Sequence, residues 1–143
     1  FEYVKSSKTN IADDENAQNL WLSENFRKAF IEAIKRAGKP DQNPDYPSNE
    51  DFIGVWNYPT TYSIVDSRYY ETSTQAYPIN KLAIIDVLYE WDGEASMENQ
   101  YPNDKRLFSF IFIFEDNKWK LDDMYSFDAN ESLYTYYKNM PVN

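Results

Sequence analysis

The sequence predicts an α+β fold in which helices cover one face of a curved antiparallel sheet of about four main strands. Three observations carry it. Arg106 to Tyr125 reads as a long strand, a tight polar turn and a second strand, rich in the aromatic and β-branched residues that suit a pleated surface. Ser23 to Ala37 reads as a capped amphipathic helix. The helical pattern comes first and four consecutive strand patterns follow, which separates helices from sheet along the chain.

In order along the chain, Phe1 and Val4 are spaced i, i+3, and Phe1 to Ser7 reads as the last turns of a helix or as a terminus left after removal of a leader. Lys8 to Gln18 is polar and reads as a solvated loop. Its Asp13-Asp14-Glu15 run is hydrated surface rather than a calcium loop, because the oxygens sit too close together and the EF-hand glycine is missing. Ser23 then caps a helix near Glu24–Ala37. Phe26, Phe30, Ile31 and Ile34 form its stripe, Lys35 and Arg36 occupy its last turn, and Gly38 and Pro40 stop it. Asp41 to Glu50, with Pro44 and Pro47, is an irregular connection. Asp51 to Trp56 is a short apolar segment at the mouth of the core.

Strands follow near Tyr62–Glu71, Lys81–Trp91, Lys105–Glu115 and Lys118–Phe127, with breaks at Thr72 to Asn80 and Asp92-Gly93-Glu94. Glu115-Asp116-Asn117-Lys118 supplies turn residues that bond their own backbone. Trp119, alternating with Lys118 and Lys120, is expected to be a buried structural ring. Glu131 to Met140 reads as a short terminal helix behind an Asn130 cap. In the third strand Phe108, Phe110, Phe112 and Phe114 point one way and Leu107, Ser109, Ile111 and Ile113 the other. A sheet apolar on both sides needs cover on both, from a partner protomer or another layer.

At 143 residues the chain is one domain, spanning 1–143 and long enough to bury a core without cross-links. Its 24 acidic and 14 basic residues give a net charge of −10, with no Lys/Arg cluster to reverse it, which argues against nucleic-acid binding and leaves room for a basic protein partner. The chain has neither Cys nor His. That removes thiolate nucleophiles, disulfides, ordinary zinc or copper sites and every His-dependent triad. No metal or cofactor is expected, and any catalysis would rest on carboxylates, Tyr, Lys or Arg. No apolar run approaches the ~18 residues a membrane span needs.

The hairpin ending Phe114-Glu115-Asp116-Asn117-Lys118-Trp119-Lys120-Leu121-Asp122-Asp123-Met124 resembles the final hairpin of the nuclear-transport-factor-2-like superfamily, where an acidic turn precedes a Trp-Lys-hydrophobic-Asp-Asp strand. The helix Ser23 to Ala37, the strand Ala83 to Trp91 and the closing Ser132-Leu133 helix fall in matching order, so the likeness covers residues 20 to 140. Within the superfamily the chain looks most like exported bacterial domains, secreted or lipid-anchored. The resemblance implies a cone, a bent sheet wrapped on helices with a pocket between, and pairing through the sheet into a homodimer. Members include ketosteroid isomerases, dehydratases, epoxide hydrolases and pure binding modules. The dehydratase-like members rely on His, which this chain lacks.

Among candidate site residues, Asp86 sits inside Leu82-Ala83-Ile84-Ile85-Asp86-Val87-Leu88 and is the best general-base candidate if it is buried alone. Asp66 and Arg68 lie i, i+2 on one strand face, and an ion pair with Asp86 or Asp123 is the structural alternative. Trp56, Tyr58, Tyr62, Tyr89 and Trp91 could line a pocket and stack on a flat or sugar-like ligand, or simply fill the core. Tyr69-Tyr70, Tyr77 and Tyr101 read as exposed. The expected function is a noncatalytic domain that binds a small molecule or a protein partner. The alternatives are a carboxylate-dependent isomerase or hydrolase, and an acidic inhibitor of a basic effector protein. Periplasmic, extracellular or lipid-anchored export is the expected location.

Overall fold

A computed structural model describes residues 9–52, 59–74, 77–91 and 105–142, the side chains of 72–74 and 77–80 excepted. A 3₁₀ turn at Ile11–Asp13 leads into α1 (Glu15–Trp21) and α2 (Glu24–Ala37), then a 3₁₀ turn at Asn49–Phe52. The strands are β1 (Thr61–Thr74), β2 (Tyr77–Glu90), β3 (Lys105–Glu115), β4 (Lys118–Ser126) and the short β5 (Glu131–Ser132), and α3 (Leu133–Asn139) closes the order. All five strands lie in sequence order in one antiparallel sheet, the α+β architecture that the sequence predicts.

Helix α2 forms for the reasons its sequence carries. The Ser23 hydroxyl accepts from the Phe26 N–H at 3.0 Å, Lys35 and Arg36 meet the negative end of the dipole, and Gly38 stops the helix at φ +80. Its buried stripe is Phe26, Ala29, Phe30, Ala33 and Ala37, with Ile31 and Ile34 half-buried at its margin. The small alanines let the helix approach its neighbours while Phe26 and Phe30 reach past it. These two rings meet Phe52 and Tyr137 at centroid distances of 5.2–6.0 Å, and all four lie in one core with Val87, Tyr89, Phe108, Leu121 and Met124 of the sheet.

The sheet register follows the alternation. Val87 pairs Phe108 and Ile85 pairs Phe110 on the helix-facing side, while Asp86 pairs Ser109 and Ile84 pairs Ile111 on the other. Asp116 and Asn117 take φ of 52 and 60, the left-handed pair that a two-residue hairpin turn requires. A bulge in β4 between the partners of Ile111 and Phe112 leaves Asp122 as the extra residue. There the chain entering α2 is pinned: the Ser23 N–H donates to the Leu121 carbonyl at 2.9 Å and the Ser23 hydroxyl to Asp122 at 2.6 Å.

Four expectations are corrected, the first being the break at Thr72 to Asn80, where β1 continues to Thr74 and β2 already begins at Tyr77. Lys8 to Gln18 is not a loop throughout. Asp14 caps α1 by accepting from the Ala17 N–H, and Gln18 is buried, donating to the Ile11 and Ala12 carbonyls. The terminal helix is capped by Ser132, whose hydroxyl accepts from the Thr135 N–H, rather than by Asn130, which sits in the preceding turn at φ 52. Trp119 is 40% exposed, because the helices cover β4 around Leu121 and Met124 and leave the hairpin tip open. Its ring instead packs edge-on against Phe114 and Tyr69. The expected helical turns at Phe1 to Ser7 and the apolar stretch Ile53 to Trp56 lie outside the described residues.

Candidate functional site

A cleft of about 390 Å³ opens where the Pro44–Asp51 connection faces the end of β4 and the start of α3. Met124 and Leu133 form its buried floor, and the half-buried Tyr46 and Tyr136 flank it. Asp45, Glu50, Asp51 and Glu131 supply four carboxylates, and its lining residues include neither Lys nor Arg.

Local sequence builds the wall. Asn43 is buried; its amide donates to the Ala37 carbonyl at 3.1 Å and its carbonyl accepts from the Asp45 N–H at 2.9 Å, tying the connection to the end of α2. Asn10 donates to the Pro47 carbonyl and Asn49 accepts from the Ile11 N–H, so the N-terminal 3₁₀ turn straps the same segment. The second 3₁₀ turn closes on Ser48, whose carbonyl accepts from the Asp51 N–H at 3.3 Å. The Ser48 N–H donates to Asp51 Oδ2 at 3.1 Å, and the fully buried Tyr137 hydroxyl donates to the same oxygen at 2.8 Å.

The electrostatics are lopsided. Burial pushes the Asp51 carboxyl above the usual carboxylate range even though both donors pull it down. Tyr137 is pushed well above the ordinary phenol value by burial and then by Asp51. Tyr136 is raised by burial and further by Asp45, Asp51 and Glu131, so three carboxylates act on one phenol at the cleft wall. Tyr46 is raised by burial and then by Asp13. The phenols therefore stay neutral donors at neutral pH, and the cleft presents negative charge over an apolar floor. Among the described residues no group of three or more carboxylates is placed to hold a metal ion.

The residues singled out from the sequence assemble elsewhere. Arg68 Nη2 lies 2.7 Å from Asp86 Oδ2 and its Nε 3.4 Å from Asp66 Oδ2, while Ser109 donates to Asp86 Oδ1. Asp86 is thus the paired carboxylate at the centre of a strand-to-strand network, on the sheet face away from the helices. Asp123 is not part of it. Its Oδ1 accepts from the Tyr134 and Met124 N–H groups and fastens the first turn of α3. Tyr89 and Trp91 are buried in the core, Tyr89 against Phe108 at 5.0 Å, and Tyr62 lies exposed on β1 opposite Tyr89. Trp56 and Tyr58 lie outside the described residues.

Asp51 and its neighbours escape a linear reading. The one local signal is Ser48-Asn49-Glu50-Asp51 ahead of Phe52, a capping-box pattern that announces a helical turn. It does not announce that residues near position 131 will close the cleft. The chain matches no known protein family, no curated protein and no solved structure.

Proposed function

We propose that this is a binding domain without chemistry of its own, and that its cleft accepts a positively charged group carried on an apolar body. Four carboxylates line the cleft around Met124 and Leu133 with neither Lys nor Arg in its lining, and this observation carries the reading. An ammonium or guanidinium group there exchanges water for charge-assisted bonds while its hydrocarbon stem covers the floor. The group can belong to a small amine or to a Lys or Arg side chain of a basic protein, and the net charge of −10 favours either by long-range attraction. We place the domain among the nuclear-transport-factor-2-like cones. The meander order supports that placement. So does the ring contact of Tyr69 on β1 with Trp119 on β4 at 6.0 Å, which bridges two intervening strands as a curled sheet would allow.

Phenethylammonium, a Lys-bearing peptide and the uncharged phenethyl alcohol separate the cases by NMR titration. Both cations should shift Asp51, Leu133 and Tyr136 resonances. The pair of changes Asp45→Asn and Glu131→Gln should weaken them about tenfold, equivalent to about 1.4 kcal/mol. Equal binding of the alcohol, or shifts confined to other residues, would refute the reading.

A second reading, a carboxylate-dependent isomerase or hydrolase, draws on Asp51 rather than Asp86, because Asp51 is the desolvated carboxylate beside an open cleft. It ranks lower because Asp51 Oδ2 is already engaged by two donors.

A further inference from the structure

Strand β1 stands at the edge of the sheet, and no described strand pairs with its outer side. It runs for 14 residues, carries neither Pro nor Lys, and every residue from Thr61 to Glu71 is exposed. Natural edges are usually short, lysine-rich or interrupted by proline, because an open ladder of N–H and C=O groups templates further pairing. The register of β1 with β2 shifts at Val65 and again between Thr72 and Thr74. Tyr62, Ile64, Val65, Tyr69 and Tyr70 are each about half exposed or more.

We propose that β1 is a self-recognition strand: two copies of this chain pair edge to edge, antiparallel, about a two-fold axis through Ser67, joining their sheets. The register follows from symmetry and charge. An antiparallel isologous pair has its axis perpendicular to the sheet, so opposed residues must come from the same face. The charged side chains on the exposed part of β1 are Asp66, Arg68 and Glu71. Asp66 and Arg68 share the face that carries Asp86, while Glu71 lies on the opposite one. A direct Arg68–Glu71 pairing across the axis is therefore forbidden. The symmetric register that sets opposite charges against each other is the one centred on Ser67. It places each Arg68 opposite Asp66 of the second copy, twice over. Arg68 then sits between its own Asp86 and the second copy's Asp66. The bulge at Val65 exchanges the faces of β1, so Ile64 and Tyr70 lie on opposite faces and the face-matched centre of the pairing is Asp66–Arg68 of each copy.

The chain contains no cysteine, so single-cysteine variants give an unambiguous readout. Ser67 meets its own copy at the axis, and opposed Cα atoms there stand ~4.5–5.5 Å apart, within disulfide range. Ser67→Cys should cross-link to a covalent dimer under mild oxidation at ~0.15 M salt, which screens the net charge. Ser63→Cys, whose copies would lie about 25 Å apart along the strands, should remain uncross-linked. In sedimentation the wild type should show a dimer. Asp66→Arg alone and Arg68→Asp alone should be monomeric, and their equimolar mixture should dimerise, because each variant then carries the charges that the other lacks. Should Arg68→Asp fail to fold without its Asp86 contact, the cysteine pair and Asp66→Arg, which keeps a cation opposite Asp86, still decide. A monomeric wild type at high concentration, cross-linking at Ser63 equal to that at Ser67, or charge variants that dimerise like the wild type would each overturn the proposal.

Discussion

Asp51 is pulled in opposite directions by its surroundings, and burial wins over the hydrogen bonds from Ser48 and Tyr137. A carboxyl raised in the folded state holds its proton in a pH range where the unfolded chain has released it. The stability linked to that proton is complete below the unfolded value and is lost as pH rises through the folded one. Asp51→Asn keeps an acceptor for both donors, since they converge on one oxygen. The variant should therefore be at least as stable as wild type near pH 7, and its denaturation midpoint should change less between pH 4 and 7. Urea melts across that range check both. The Arg68–Asp86 pair was legible in the sequence, because i, i+2 spacing puts Asp66 and Arg68 on one strand face beside a carboxylate in the next strand. Asp51 was not, because the phenol that buries it comes from a helix 86 residues later.

At the scale of elements, α2 shows how much a capped amphipathic segment declares about itself and where that stops. Ser23, the basic last turn and Gly38 set both ends at the expected residues. The sequence does not reveal that the same Ser23 hydroxyl also donates to Asp122 at the β4 bulge, or that Glu115 accepts from the Glu24 N–H at 3.0 Å. Ser23→Ala should therefore cost more than an exposed cap, about 2 kcal/mol, with the loss appearing in chemical denaturation. Threonine at the same site should recover most of it. Helix α1 was illegible for a physical reason. Its buried residues are Ala17 and the polar Gln18, so no apolar stripe marks it, and its cap lies in an acidic run that looks hydrated. Trp119 misleads in the opposite sense. Alternation gives the face of a strand but not how far along it the covering helices extend.

For the whole molecule, the net charge of −10 acts on every contact at once. Exposed pairs such as Lys28–Glu24 and Lys35–Glu32 contribute little on a surface where carboxylates predominate. Self-repulsion of the folded chain should be the larger effect. Raising sodium chloride from ~0.01 to ~0.15 M should lift the melting temperature by about 2–5 °C, a change that differential scanning calorimetry resolves. A fall over that range would mean that specific ion pairs outweigh the general field. The α+β order and the approximate strand positions were legible because they rest on alternation and caps, which are local. The closing of the cleft was not, since it depends on segments brought together from both ends of the chain.

The packing of Tyr137 against Phe26 and Phe30 also sets a timetable for synthesis. Arg36, which donates to the Tyr137 carbonyl, precedes that residue by 101 positions. At typical translation rates of roughly 5–20 residues per second, the apolar stripe of α2 leaves the ribosome about 5–20 s before the helix that covers it. The sheet residues that pin its start at Leu121 and Asp122 are themselves made late. Domain closure therefore waits on the elements of the fold that are made last. Until then the nascent chain presents a bare aromatic stripe to whatever holds unfolded chains near the exit tunnel.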